Sequence, residues 1–253
     1  MEYGATMRII AHRGASGSAP ENTMAAINRA WELGADGVEV DVHLTKDHVP
    51  VVIHDPDTER VAGQKLVVEQ STYEELCQLD VGSWKGSEFA GERIPRLADV
   101  LHSMPARKNF FVEVKDVSGQ ALAKALEPIF RDNPQFVTER QVFLMSFYPD
   151  ALWSIAARFP DLTLLLLLDN LNRLPRKIPK RLPADSLPVH GLGLSNQLDL
   201  DDKRREQLIA AGAIMNVWTV NDPADLGKWD AAGFDFLTTD SPELFVGRNI
   251  AQQ

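Results

Sequence analysis

Residues 36–55 read DGVEVDVHLTKDHVPVVIHD, and the placement of the first half of this stretch decides the fold. Val38, Val40 and Val42 alternate with Glu39 and Asp41. Successive side chains of a strand point to opposite faces, so the valines share one face and the two acids the other. Neighbouring carboxylates on a buried face are costly without compensation. A cation supplies it, and an all-oxygen donor set favours a hard ion such as Mg²⁺ or Ca²⁺. The second half carries the apolar run Val51-Val52-Ile53, which ends in His54 and Asp55. Upstream, Arg8-Ile9-Ile10-Ala11 ends in the same way in His12 and Arg13. Two histidines delivered to strand ends beside an acidic nest point to proton transfer next to a charged electrophile.

Outward from this stretch, short apolar runs alternate with amphipathic ones. The pattern predicts strands over 7–11, 36–42, 49–53, 110–115, 141–146, 162–168, 190–194, 214–220 and 235–238. Helices are predicted over 22–34, 97–103, 119–131, 149–158, 201–211 and 223–232. Such alternation predicts a parallel sheet covered by helices. No G-x-G-x-x-G follows the first strand, which argues against dinucleotide binding. His12, Asp41, His54, Lys115, Ser146 and residues 218–221 all fall near strand ends. A (β/α)₈ barrel assembles its active site there, from the loops after several strands. We therefore expect an α/β fold of the closed (β/α)₈ (TIM) type rather than an open doubly wound sheet. The 49–53 run is one strand too many and is expected to extend 36–42 as a hairpin or bend. Residues 56–96 break the rhythm with Gly63, Gly82, Gly86, Gly91 and Pro95, and only a short helical stretch near Thr72 to Leu79. That is long for a βα connection. It predicts a small subdomain inserted after the second barrel strand, capping the catalytic rim of a single domain over 1–253.

Composition narrows the function classes. The 253 residues are 44% hydrophobic and 25% charged, ordinary for a globular chain with a proper core. A net charge of −10 argues against a general nucleic-acid binder, and means that an anionic substrate must be drawn by local positive charge. Cys77 is the sole cysteine, which excludes a disulfide framework and a cysteine-rich metal site. The start MEYGATMRII lacks the pattern of a signal peptide. The longest apolar run, 164–168, is far short of the ~20 residues a transmembrane helix needs. A cytoplasmic location and a small-molecule substrate are expected, with no transmembrane segment. Arg173, Arg176, Lys177, Lys180 and Arg181 lie among prolines in 173–188, as either a solvated loop or an anion-collecting edge.

Nine motifs then occur in order over nearly the whole chain: HRG at 12–14, PENT at 20–23, EVDV at 39–42, HD at 54–55, LDVGSW at 79–84, FAGERIPRL at 89–97, VEVK at 112–115, WTVN at 218–221 and TTDSPE at 238–243. Together they closely resemble the glycerophosphodiester phosphodiesterases. The resemblance implies a TIM-type barrel with an inserted subdomain, a divalent-metal requirement, and hydrolysis of glycerophosphodiesters to sn-glycerol 3-phosphate and an alcohol. It implies Glu39, Asp41 and Glu113 as metal ligands, and His12 and His54 exchanging the roles of general acid and base. Lys115, which the period of two puts on the face of Glu113, is expected with Arg13 on the phosphate. Phe147 and Trp218 are expected on the apolar side of a glycerol pocket, and Glu21-Asn22 as a brace for the HRG loop. Water or a glycerol hydroxyl, via a cyclic phosphate, would serve as nucleophile. The chain departs from the family pattern at Asp116-Val117-Ser118 and in 162–188, which bears on the leaving group.

Each residue alone has an ordinary explanation. A strand-end histidine is usually a hydrogen-bonded structural residue, Glu39 and Asp41 could pair with Arg8 or Arg96, Lys115 with Glu113 or Asp116, and Trp218 could be core. The alternatives at the level of function are a lysophospholipase D-type activity and a catalytically silent barrel that binds phosphorylated ligands.

Overall fold

The predicted apolar runs become strands because each is bounded by turn residues and buried on both faces. In the computed structural model, which describes residues 7–115, 119–139, 141–174, 179–184 and 188–247, these are β1 (Arg8–Ala11), β2 (Gly37–Leu44), β3 (Pro50–Val52), β4 (Asn109–Val114), β5 (Val142–Ser146), β6 (Thr163–Leu168), β7 (Gly191–Ser195), β8 (Ile214–Trp218) and β9 (Phe236–Thr239). Eight of them are parallel, in the order β1-β9-β8-β7-β6-β5-β4-β2, and β1 pairs with β2 to close the ring. This is the (β/α)₈ barrel expected. β3 stands outside the ring, antiparallel to β2 with Val42 opposite Val52. The surplus run is thus a hairpin arm, and the Ile53 amide donates to the Asp41 carbonyl at 3.0 Å. That bond carries His54 to the acidic strand.

The helices are α1 (Met24–Glu32), α2 (Glu59–Ala62), α3 (Tyr73–Leu76), α4 (Leu97–His102), α5 (Gly119–Asp132), α6 (Gln135–Thr138), α7 (Pro149–Arg158), α8 (Asp202–Ala210) and α9 (Leu226–Ala231). α1 starts where Thr23 Oγ1 accepts from the Ala26 amide, and it buries Ala26, Ile27 and Ala30. The single helix expected over 223–232 is instead a 3₁₀ turn, Pro223–Asp225, opened by the Asp222 side chain and followed by α9. α2 and α6 escaped the sequence reading because four residues show no helical period. Among the described residues no helix is long and apolar enough to cross a membrane. Asp116-Val117-Ser118, Arg176, Lys177 and the side chain of Arg173 lie outside the described residues; Lys180 and Arg181 are exposed.

The barrel has two cores, one on each face of the sheet. Val38, Val40, Val42, Val112, Leu144, Leu164 and Leu166 pack outward beneath the helices. Ile10, Phe111, Phe143, Met145, Leu165, Leu167 and Phe236 fill the interior. The leucine-rich β6 supplies both, which is why it reads as an unbroken apolar run. Phe111 and Phe143 stack with ring centres 4.4 Å apart, and Phe236 meets them edge-on at 4.9 and 5.4 Å. The Arg8 guanidinium lies 3.9 Å over Phe236 and closes the amino end. The lower interior is therefore a solid aromatic plug. The insertion contributes to a third cluster, in which Val51 and Ile53 from the hairpin meet Val61, Val68, Leu76, Val81 and Ile94.

Candidate active site

Above the plug the interior turns polar. Parallel pairing sets Glu39 opposite Phe111 and Asp41 opposite Glu113, so one step up from the phenyl ring the inward positions become acidic. Glu39, Asp41 and Glu113 are 2%, 1% and 9% exposed, and each offers an oxygen within 4.8 Å of the others.

Protein cations meet part of this charge. Lys115 Nζ lies 2.6 Å from Glu113 Oε1 and 3.0 Å from Asp41 Oδ1. Arg13 Nε lies 3.2 Å from Asp41 Oδ2, and the Arg13 amide donates to Glu39 Oε2 at 3.0 Å. Asn22 Nδ2 donates to Asp41 Oδ2 at 2.8 Å and its Oδ1 accepts from the Asp41 amide at 3.2 Å. The pairings offered by the ordinary explanation differ: Arg96 binds Asp99, and Arg8 reaches Asn109. Burial alone would raise the Asp41 carboxyl, but Lys115 and Arg13 outweigh it and hold that group well below the usual carboxylate range. Burial pushes Glu39 well up, with the charges of Asp41 and Glu113 adding to it. Glu113 is pushed up to about 7 by burial and then Asp41, against Lys115. Burial would lower the Lys115 ammonium, yet Asp41 and Glu113 raise it.

The nest fits a hard divalent ion. It offers three carboxylates and no soft donor, and Asp41 Oδ1 and Glu113 Oε1 are buried without an aligned hydrogen bond, compensated by charge alone. Two of its three acids are pushed towards protonation by burial and then by their acidic neighbours, a cost that a divalent cation relieves.

Each imidazole is oriented by a carboxylate. His12 Nδ1 donates to Asp240 Oδ1 at 2.6 Å, and Asp240 is held by Ser16 Oγ at 3.1 Å and Asn221 Nδ2 at 2.6 Å. Burial opposes ionisation of Asp240, but the His12 ring and these neutral donors hold its carboxyl down at about 2. His12 Nε2, on the other side of the ring, is 4.0 Å from Glu39 Oε2. His54 Nδ1 donates to Asp55 Oδ1 at 2.6 Å. Burial lowers the pKa of His54, more than Asp41 raises it. A carboxylate at Nδ1 fixes the tautomer and leaves Nε2 as the nitrogen that exchanges a proton.

One cavity of about 250 Å³ gathers His12, Arg13, Glu39, His54, Glu113, Lys115, Phe147 and Trp218. Asp41 does not line it but contacts Arg13 and Lys115, which do. Phe147 and Trp218 form the apolar wall, edge to face at 5.6 Å. All nine expected residues thus converge. Ser146 does not join them: it is fully buried and donates to the Val114 carbonyl at 2.9 Å. Glu21 pairs with Arg13 Nη1 at 2.9 Å, the bracing role expected. A larger hollow of about 520 Å³ outside the barrel, between the β7–α8 connection and α9, contains none of the nine. Asp240 escaped the sequence reading. It is 228 residues from His12, and only closure of β1 on β9 brings them together. Its signal was its place at the end of the run FLTTD, matching His12 at the end of RIIAH.

A closed barrel with a carboxylate nest and two carboxylate-oriented imidazoles at its carboxyl mouth has these groups where enzymes of this fold carry their active sites. The profile of the glycerophosphoryl diester phosphodiesterase family matches residues 12–244. A glycerophosphodiester phosphodiesterase of Caldanaerobacter subterraneus is 36% identical over 239 residues, 94% of this chain and 96% of the relative. A putative glycerophosphodiester phosphodiesterase of Bacillus subtilis is 33% identical, covering 95% of this chain and 97% of its own. A phosphodiesterase of Oleispira antarctica, solved in complex with the product sn-glycerol 3-phosphate, superposes with a TM-score of 0.82 at 28% identity over 94% of both chains. The chain belongs to the glycerophosphoryl diester phosphodiesterase family.

Proposed function

We propose that this protein hydrolyses glycerophosphodiesters to sn-glycerol 3-phosphate and an alcohol, with a divalent ion, and with His12 and His54 as its acid–base pair. The observation that carries this reading is the convergence of three carboxylates and two oriented imidazoles on one 250 Å³ cavity. The product complex of the Oleispira antarctica relative supports the choice of substrate class. Glu39, Asp41 and Glu113 would hold the ion, which supplies Lewis-acid neutralisation of a phosphoryl oxygen. One imidazole takes the proton of the attacking oxygen as its bond to phosphorus forms. The other protonates the alcohol oxygen as the P–O bond to it breaks. Asp240 and Asp55 keep the rings in register, and the positive charge of Lys115 and Arg13 faces the phosphoryl charge. Phe147 and Trp218 exclude water from the glycerol side. Segment 56–96 we read as a cap on the rim.

The lysophospholipid alternative needs an apolar groove for an acyl chain. The longest apolar run of the chain lies in β6, whose six residues are all buried in the barrel wall and form no such groove. The test measures sn-glycerol 3-phosphate release from glycerophosphocholine, and turnover of lysophosphatidylcholine in parallel. We expect the diester to be the better substrate, EDTA to abolish release, and Mg²⁺ or Ca²⁺ to restore it. His54→Ala should lose activity by roughly 10²–10⁴-fold. Undiminished release after thorough chelation would remove the ion from the mechanism.

A further inference from the structure

The groups of the cavity are joined by a single guanidinium from the inserted segment. Arg60, on α2, donates from Nε to Asp55 Oδ2 at 2.6 Å. Its Nη1 and Nη2 donate to Glu21 Oε2 and Oε1, both at 2.8 Å. Asp55 uses its other oxygen to hold the His54 ring at 2.6 Å. Glu21 Oε1 also accepts from Arg13 Nη1 at 2.9 Å, and Arg13 Nε reaches Asp41 at 3.2 Å. The network runs His54–Asp55–Arg60–Glu21–Arg13–Asp41, and Arg60 is the link between its histidine end and its arginine end.

We propose that Arg60 is a positioning residue for the reaction at this site. It fixes the His54 imidazole through Asp55 and the Arg13 guanidinium through Glu21, in one placement relative to each other. This rests on the diester-hydrolysis reading. The competing explanation is an ordinary surface ion pair, since the Arg60 side chain is 44% exposed and exposed pairs contribute little. The geometry differs from such a pair in two respects. Three N–H donors of one rigid plane are used at once, two of them as a fork on a single carboxylate. Both acceptors also bind residues of the cavity: Asp55 holds His54 through its other oxygen, and Glu21 shares Oε1 between Arg60 and Arg13. The two histidines also differ: the carboxylate behind His12 is held by neutral donors, whereas the one behind His54 is held by a cation of the insertion. Segment 56–96 thereby acts on the reaction without lining the floor. Lysine cannot substitute, because its ammonium is a point charge on a flexible stem and cannot fork across both acids.

The experiment compares Arg60→Ala, Arg60→Lys, Asp55→Asn and Glu21→Gln, with the double variants, by steady-state kinetics, thermal unfolding and NMR of the imidazole N–H protons. Arg60→Ala should lower kcat about 10–100-fold, as misplacement of reacting groups does. KM should change less than about threefold and Tm by only a few degrees. Millimolar guanidinium should restore part of the lost turnover in Arg60→Ala, and Arg60→Lys should recover little. Losses should be strongly non-additive with both Asp55→Asn and Glu21→Gln. The His54 Nδ1–H resonance should shift or exchange faster in Arg60→Ala. An unchanged kcat, a loss confined to KM, full recovery with lysine, or simple additivity would overturn the proposal. A wild-type protein that releases no sn-glycerol 3-phosphate would count against the diester reading alone; the imidazole resonance then decides, and if it is unmoved in Arg60→Ala the proposal falls.

Discussion

Asp240 lies 228 residues from the ring it serves, yet it holds His12 at 2.6 Å with two further donors behind it. Asp240→Asn should leave the ring in place but able to adopt the wrong tautomer. Turnover should then fall by on the order of 10²–10⁴ with KM little altered, and kcat and KM measured separately would check this. Glu39 and Glu113 give a second prediction. Both are raised above their ordinary values, so the native state binds their protons more tightly than the unfolded chain does. The stabilising contribution of Glu113 is complete below about 4.5 and is lost as pH rises through about 7, and Glu39 acts in the same sense. Asp41 works the other way, but its contribution is lost only on strong acidification. The Tm of chelated protein should therefore fall between pH 5 and 8, and fall less in Glu113→Gln; added Mg²⁺ or Ca²⁺ should reverse the slope. The lowered pKa of His54 acts in the opposite sense in both proteins, so the difference between them isolates the carboxyl. A scanning-fluorimetry series in which both slopes agree would refute the assignment. The acids, Lys115 and both histidines were legible because period two and strand ends are local patterns. Asp240 and Arg60 were not, because their partners arrive through barrel closure and through an irregular insertion.

Among the elements, the β1–α1 connection carries the most conformational cost. Arg13 and Asn22 have φ of 55° and 58°, and the Asn22 amide closes the loop on the Arg13 carbonyl at 2.9 Å. Such conformations persist for non-glycine residues only when surrounding bonds enforce them. Here those bonds run to Glu39 and Asp41, so the loop is folded around the acids that it serves. Gly14, between them in the turn, has φ +80°, and a Cβ there would lie 2.6 Å from the Ala26 carbonyl carbon. Gly14→Ala should cost about 1–3 kcal/mol and lower kcat by displacing Arg13. Denaturant unfolding together with turnover would test this, and wild-type values for both would refute it. The pattern HRG marked this loop as important. Its left-handed residues were not legible, since nothing in Arg13 itself favours that conformation. The β2–β3 hairpin was half legible: the extra apolar run was evident, but the antiparallel return depends on its pairing with β2.

At the scale of the molecule, two bodies of apolar contact meet at the hairpin. The barrel cores are continuous under the helices and within the ring, whereas Val61, Val68, Leu76, Val81 and Ile94 form their own cluster against Val51 and Ile53. Leu76 is fully buried there, so Leu76→Ala should cost about 2–5 kcal/mol locally. Amide exchange should then accelerate through 56–96 while β4 to β8 keep their protection; uniform acceleration would mean a single cooperative unit. The barrel class was legible because eight runs alternate with helices and their polar residues cluster at one end. The phenyl plug was not, since Phe111, Phe143 and Phe236 sit on separate strands and only ring closure stacks them. That stopper has a consequence for traffic. A shaft filled at its base has one doorway, so substrate, solvent and both fragments share a single passage. Whatever occupies the cavity enters and leaves past the same residues, so bulk added at that doorway would slow both directions alike.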